Sequence, residues 1–422
     1  MPKKSVILLG LALATSLPAT PPDANALMRE AILAAQAGQF DTALARMQSA
    51  VVLRPNHPAY LYNLACVQSL GGHTDAALAT LQSLADFGIY APAAKDTDFA
   101  ALTDRADFKT ITAQFEQNLL PRGAAEEDFT LTEQMGLIEG IAFQPVTGEV
   151  FFGDMHLRCI WLRNGDGQVT RFSAVDERML GVGGLVVDET REMLWAASSA
   201  QAVMSGWQEE NANRGALIGF DLTTGVVRAY YPIPSDDRAH ATVDLALAPD
   251  GTIYLSDSIA PVIWRLSPGA TQLEKWIDDD RFRSLQGLTV SPDGNSLFVA
   301  DYALGLFRID LRSGAIAALA TPTGNTLIGI DGLTRSGTQL IAVQNGVNPV
   351  RILAFDLDAK DELAAVHELA AALPVIADPT LGCVHDGRFH FIADAGWRFF
   401  SPGKTPTPDG RSVPIVSIAL NP

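Results

Sequence analysis

The chain lacks most of the features that give a function away. Cysteine is scarce, with only Cys66, Cys159 and Cys383 in 422 residues and no C-x-x-C spacing, which excludes a disulfide scaffold or a zinc knuckle and allows at most one disulfide. Basic charge is also short. The 30 Lys and Arg stand against 48 Asp and Glu, a formal charge of −18; a field of that sign repels phosphate backbones and anionic lipid, so no nucleic-acid partner is expected. No G-x-S-x-G elbow or H-E-x-x-H helix occurs, and Gly403-Lys404-Thr405 has Arg398 where a phosphate loop needs its first glycine. Serine hydrolases, zinc proteases and nucleotide enzymes therefore lack their local signals.

Long apolar runs are missing beyond the first residues. Val6 to Leu17 follows Lys3 and Lys4 and precedes Ala24-Asn25-Ala26, the pattern of an export signal over residues 1–26 with small residues at its cleavage site. At about a dozen residues the run is shorter than the roughly 20 a spanning helix needs, and Pro18, Pro21 and Pro22 would break its continuation. A periplasmic or secreted protein with no membrane span is expected. Hydrophobic residues at 48% and charged residues at 18% are enough for a large buried interior, and the length implies two or three domains.

From Leu27 to Leu84 the sequence repeats at a shift of 34: Gly38 and Gly72, Asp41 and Asp75, Ala43-Leu44 and Ala77-Leu78, Ala31 and Ala65. Apolar residues at helical spacing, a glycine turn and small alanines in each unit predict helix pairs over 27–120, with only the helical period surviving beyond Ala93. This resembles tetratricopeptide repeats. Two units are few for a free solenoid, so the array is expected to dock on the rest of the chain, as a groove for a protein partner or as a packing adaptor. Cys66 reads as a buried small hydrophobe, and Pro121-Arg122-Gly123 opens an expected linker over 121–128.

Over 129–422 the period changes to short Val-, Ile- and Phe-rich runs with Asp-Gly turns. Six copies of one strand opening recur: Glu139-Gly140-Ile141, Gly183-Gly184-Leu185, Val243-Asp244-Leu245, Gln286-Gly287-Leu288, Asp331-Gly332-Leu333 and Leu381-Gly382-Cys383. Their spacings of 44, 60, 43, 45 and 50 residues suit four strands and their turns, which predicts an all-β six-bladed β-propeller behind an all-α helical module. Phe129 to Leu131 and Val413 to Leu420 are placed to pair and close the ring, and residues 200–214 form a long loop. Asp154, Asp257, Asp301 and Asp394, recurring at strand ends, read as structural hydrogen-bond acceptors. His156 and His240 read as surface residues, His385 as a turn residue, and Trp195, Trp264 and Trp397 as inter-blade core.

The openings, with Ser291-Pro292-Asp293-Gly294, resemble the senescence marker protein, gluconolactonase and regucalcin family, with paraoxonases and strictosidine synthases as wider kin. The resemblance covers about two thirds of the chain. It implies a metal-dependent hydrolase, often a lactonase, whose oxygen ligands converge on one divalent cation (Ca, Mg, Mn or Zn) at the channel mouth. Glu139 and Asp331 match the family's acidic ligands, and Asp331 its proposed proton-transfer residue. Gln286 stands where the family has asparagine. Val243 replaces a second asparagine, leaving Asp244 beside it as a substitute ligand or supporting group. Gly183 replaces the histidine of paraoxonases, and Ala241 an arginine of gluconolactonase-like members. Two readings stand: an exported hydrolase of a small lactone or ester, or a non-catalytic scaffold for a periplasmic partner or glycan, with Glu139 and Asp331 capping strand amides.

Overall fold

Asp23 opens the first helix of the computed structural model, which describes residues 23–132, 135–400 and 412–420. Its carboxylate accepts from the backbone N–H groups of Asn25 and Ala26, two of the donors a helix start leaves unpaired. Residues 1–22, most of the expected export signal, lie outside the described residues, and Ala24 to Ala26 form the first turn of α1. Five α-helices follow among the described residues: α1 (Ala24–Gln36), α2 (Phe40–Leu53), α3 (Pro58–Leu70), α4 (Thr74–Ala85) and α5 (Ala106–Gln117).

The 34-residue period has a direct physical basis. Gly38 and Gly72 both adopt positive φ, +72° and +78°, at the turns between α1 and α2 and between α3 and α4, a conformation glycine reaches without a Cβ penalty. Ala31, Ala43, Ala65 and Ala77 are all fully buried, so the repeated alanines are the points of close helix approach. Beyond α4 the pattern gives two short 3-10 turns, Ala93–Lys95 and Thr97–Leu102, before α5. Phe99, Phe108, Ile111 and Phe115 there close a core with Leu78, Leu81 and Leu84.

Six sheets follow, and each of the predicted openings lies at the start of an innermost strand. These strands are Ile138–Phe143, Gly181–Asp188, Thr242–Leu247, Leu285–Val290, Ile330–Ser336 and Gly382–His385, in blades one to six. The ring closes as expected: Glu126–Thr132 pairs antiparallel with Ser412–Ala419 in blade six, Leu131 opposite Val413 and Phe129 opposite Ile415. Such closure leaves no open sheet edge between the first and last blades. The 121–128 segment is itself strand-forming, since Arg122–Gly123 adds a fifth strand to blade five opposite Ala371 and Ala370. No described helix is long and apolar enough to cross a membrane.

Apolar side chains fill the spaces between blades; Trp195 and Trp264 meet in one such cluster with Leu217 and Leu255. The repeated aspartates are structural. Asp154 accepts from Gly136 N and Trp161 Nε1, Asp257 from Ala241 N and Trp264 Nε1, and Asp301 from Arg283 N and Ser284 N. Each ties the segment entering its innermost strand. Asp394 differs, pairing with Arg398 at 2.6 Å. The three cysteines are free, and burial pushes the Cys159 and Cys383 thiols up to about 12, so neither serves as a thiolate nucleophile near neutral pH.

Candidate functional site

One backbone device recurs around the channel. In blades one to five the innermost strand carries an extra residue relative to its neighbour, and the register shifts between Ile138 and Gly140, Val182 and Leu185, Thr242 and Leu245, Leu285 and Leu288, and Ile330 and Leu333. A β-bulge re-aims the side chain it carries. The bulged residues Glu139, Val243, Gln286 and Asp331 thereby line one cavity of about 240 Å³. Close packing of the bulges is met by glycine in blades one, two, four and five: a Cβ on Gly287 would lie 2.3 Å from Leu333 N and 2.6 Å from Asp331 O.

A second set of residues completes the lining. The residue that follows the second strand lines the same cavity in blade one (Met155), three (Ser258), four (Tyr302) and five (Asn345), with Gln201 from the 200–214 loop and Trp397 from blade six. None of these was singled out as a ligand from sequence, and Trp397, expected in the inter-blade core, packs against such a cluster and also lines the cavity. The register of the repeat held the signal: the strand-opening position stands beside a glycine in blades one, four and five, and the second position directly follows the recurring aspartate in blades one, three and four.

Glu139 and Asp331 are open to the cavity but ringed by blades. Glu139 Oε2 accepts from Trp397 Nε1 at 2.8 Å, and Asp331 Oδ2 accepts from Asn345 Nδ2 at 2.6 Å. Neither caps a strand amide among the described residues, and neither forms an ion pair with a described Lys or Arg. Loss of solvent, and then the Asp331 charge, hold the Glu139 carboxyl well above its usual range. Burial likewise pushes Asp331 up to about 6, opposed by the Asn345 hydrogen bond and reinforced by Asp378. Burial and the nearby acids push Tyr302 up to about 12, so its hydroxyl keeps its proton.

Asp244 is placed differently. It occupies the glycine position of its bulge and does not line the cavity; its Oδ1 would lie 2.1 Å from a Cβ on Gly184, so the carboxylate fills the space that glycine leaves. Its other oxygen accepts from Leu288 N at 3.4 Å, and burial pushes its pKa up to about 7. Glu139, Asp244 and Asp331 do not bring three carboxylate oxygens within 4.8 Å of one another; among the described residues only Cys66, Asp96 and Asp98 in the helical module meet that test.

The donor set at the mouth still suits a hard cation. Asn345 uses its amide N–H groups on Asp331 Oδ2 and Pro379 O, while its Oδ1 is buried without a hydrogen-bond partner. A buried amide oxygen left bare is costly unless something fills its lone pairs. Glu139, Asp331, Asn345 and Gln286 thus offer two carboxylates and two amide oxygens, the ligand chemistry of a divalent hard cation. Asn345 supplies the amide oxygen that Val243 cannot.

Ser258, which lines the cavity, has no free histidine beside it among the described residues. Ser258 Oγ donates to Ala241 O, and nearby His240 has both ring nitrogens committed, Nδ1 to Asp257 at 2.6 Å and Nε2 to Asp236 at 2.8 Å. His240 is 3% exposed, so the surface placement expected from sequence is wrong: the imidazole is buried between two carboxylates, and its hydrogen bonds to them raise its pKa against the effect of burial.

No family model and no curated protein matches the sequence. Among solved structures the chain is similar to a gluconolactonase from Xanthomonas campestris, at 16% identity over 71% of this chain and 94% of that one, TM-score 0.48. It is also similar to a PQQ-bound aldose sugar dehydrogenase from Streptomyces coelicolor (14%, 70% and 98%, TM-score 0.48) and to a virginiamycin B lyase from Staphylococcus aureus (15%, 69% and 100%, TM-score 0.44). These likenesses concern fold, and the chemistry has to be argued from the residues.

Proposed function

We propose that the channel mouth is a divalent-cation site serving hydrolysis of a small lactone or ester in an exported protein. The observation that carries the reading is the pairing of two enclosed carboxylates, free of any described Lys or Arg partner, with the bare oxygen of Asn345 in one cavity. Enclosed acids without a counter-charge destabilise one another, and a bound cation relieves that repulsion. Glu139, Asp331, Asn345 and Gln286 are the residues that would hold it. A divalent cation there would supply Lewis-acid polarisation of a carbonyl and a more acidic water.

The remaining chemistry lies with the chain. Trp397 orients Glu139, and Asn345 orients Asp331. Asp331, facing the cavity beside the other oxygen ligands, is placed to accept a proton from water, and the Tyr302 hydroxyl, which keeps its proton, to donate to a developing oxyanion or leaving oxygen. A neighbouring hollow of about 330 Å³ shares Gln201 and Ser258 with the site and is lined by Ala200, Trp207, Ala241 and Ile259, which suits an apolar substituent.

The test is hydrolysis of a panel of γ- and δ-lactones and aryl esters by the full chain, with and without chelator. Chelator-sensitive turnover lost in Asp331→Asn supports the reading; no turnover with any substrate in the presence of calcium, magnesium, manganese or zinc sinks the hydrolase. A second reading, cation-dependent binding without turnover, is favoured by the absence of a third converging acid and by Val243 in the third blade. Cation binding with no cleavage would select it.

A further inference from the structure

The loop 345–350 is held from two sides. On its inner side Asn345 donates to Asp331 and to Pro379 O, and Gly346 N donates to Gly329 O at 3.0 Å. Gly346 also abuts the cavity wall, since a Cβ there would lie 2.7 Å from the Tyr302 hydroxyl. On its outer side the loop belongs to the helical module. Tyr90 N donates to Asn348 O at 2.6 Å, and the half-buried Val347 packs into the apolar cluster that contains Leu61, Tyr62, Tyr90 and Phe99.

The next residue but three, Arg351, extends the clamp. It is 2% exposed, its Nη1 donates to Phe87 O at 2.6 Å, and its Nε donates to Gln344 Oε1 at 2.6 Å, on the residue before Asn345. Gln344 in turn donates to Thr326 O and Ile328 O. Two independent paths, through Val347 with Asn348 and through Arg351 with Gln344, therefore run from the helices to both flanks of Asn345.

We propose that the helical module is a positioning element of the channel-mouth site: it clamps residues 345–350 and thereby fixes Asn345, and through Asn345 the carboxylate of Asp331. Val347, Asn348 and Arg351 are positioning residues that touch no ligand. The physical argument is entropic and geometric. A six-residue loop with an exposed glycine samples many conformations unless it is tied down, and a site whose ligands sit on a loop is only as precise as what packs behind it. The inference rests on the reading of the mouth as a cation site for its functional consequence, but not for the clamp itself.

The experiment uses the full chain, labelled with ¹⁵N-asparagine. The side-chain amide signal of Asn345, assigned by its loss in Asn345→Ala, is expected to be slow to exchange in the wild-type protein because both of its N–H groups are donated. In Val347→Ala, exchange of that amide is expected to accelerate about tenfold and calcium affinity, by calorimetry, to fall by a similar factor. Val347→Ile should restore both, and Val347→Thr, which keeps the volume, covers the case in which the alanine variant does not fold. Asn345 exchange and calcium affinity at wild-type values in folded Val347→Ala, or in Val347→Thr where the alanine variant does not fold, would overturn the proposal. A wild-type protein that binds no cation would instead remove the site reading, leaving Asn345 exchange to decide on the clamp.

Discussion

Asn345 donates to Asp331 at 2.6 Å and keeps its own carbonyl oxygen buried without a partner. The pair thus does two things at once: the N–H group restrains a carboxylate, and the bare oxygen adds a ligand beside it. Asn345→Ala is expected to weaken calcium or manganese binding about 10- to 100-fold, the usual cost of losing a ligand or its support. Calorimetry measures this, and an affinity within twofold of wild type would show that Asn345 takes no part.

Val243 lines the same cavity and contributes no oxygen. Val243→Asn adds an amide without adding charge, and a better-filled coordination shell holds a hard cation more tightly. Affinity is expected to rise severalfold. An unchanged or lower affinity would mean that the third bulge does not face the bound ion.

Gly287 allows the fourth and fifth innermost strands to meet. A Cβ there would fall 2.3 Å from Leu333 N and 2.6 Å from Asp331 O, backbone atoms that cannot step aside cheaply. Gly287→Ala is therefore expected to cost about 2–4 kcal/mol in denaturant melts and to displace Asp331 as well. A loss below about 0.5 kcal/mol, the size of an ordinary surface substitution, would contradict this packing.

His240 gives a pH dependence of definite sign. Its hydrogen bond to Asp257, aided by Asp236, raises its pKa above 6.5 against the effect of burial. Lys275 and Arg238 share Asp236 with it, and Asp278 faces Arg238. A folded pKa above the unfolded one means the stabilisation is complete below about pH 6.5 and is lost as pH rises through the folded value. Urea melts from pH 5 to 9 should show that decline in the wild-type protein and a flatter profile in His240→Gln. Identical profiles would mean the imidazole carries no proton between its two carboxylates.

How much of this could be read from sequence depends on what repeats. The strand openings recur because blades one to five share the same bulge and close approach, so Glu139, Gln286 and Asp331 were visible together, and the segments Phe129 to Leu131 and Val413 to Leu420 were visible as the closing strands. Asn345, Tyr302 and Met155 share a register too; the recurring aspartates mark it at Asp154-Met155 and Asp301-Tyr302, but they read as structural acceptors only, and Asn345 follows Gln344, where the mark is lost. Asp244, read as a substitute ligand or a supporting group, does not line the cavity: Val243 does, and Asp244 sits where other blades have glycine and packs against Gly184. His240 looked like a loop residue because its two carboxylate partners, Asp236 and Asp257, come from segments whose meeting depends on the blade's fold. The contact between the helices and blade five could be expected only as docking; that it reaches residues 347, 348 and 351 is a fact of tertiary structure.

The central claim is that Glu139 and Asp331 jointly hold one divalent cation at the channel mouth. Its most direct test is titration calorimetry of the metal-stripped full chain with calcium, magnesium, manganese and zinc, alongside Glu139→Gln. The account predicts one cation per chain for at least one of these metals, with binding abolished in Glu139→Gln; no binding by the wild-type protein, or equal binding by the variant, would contradict it.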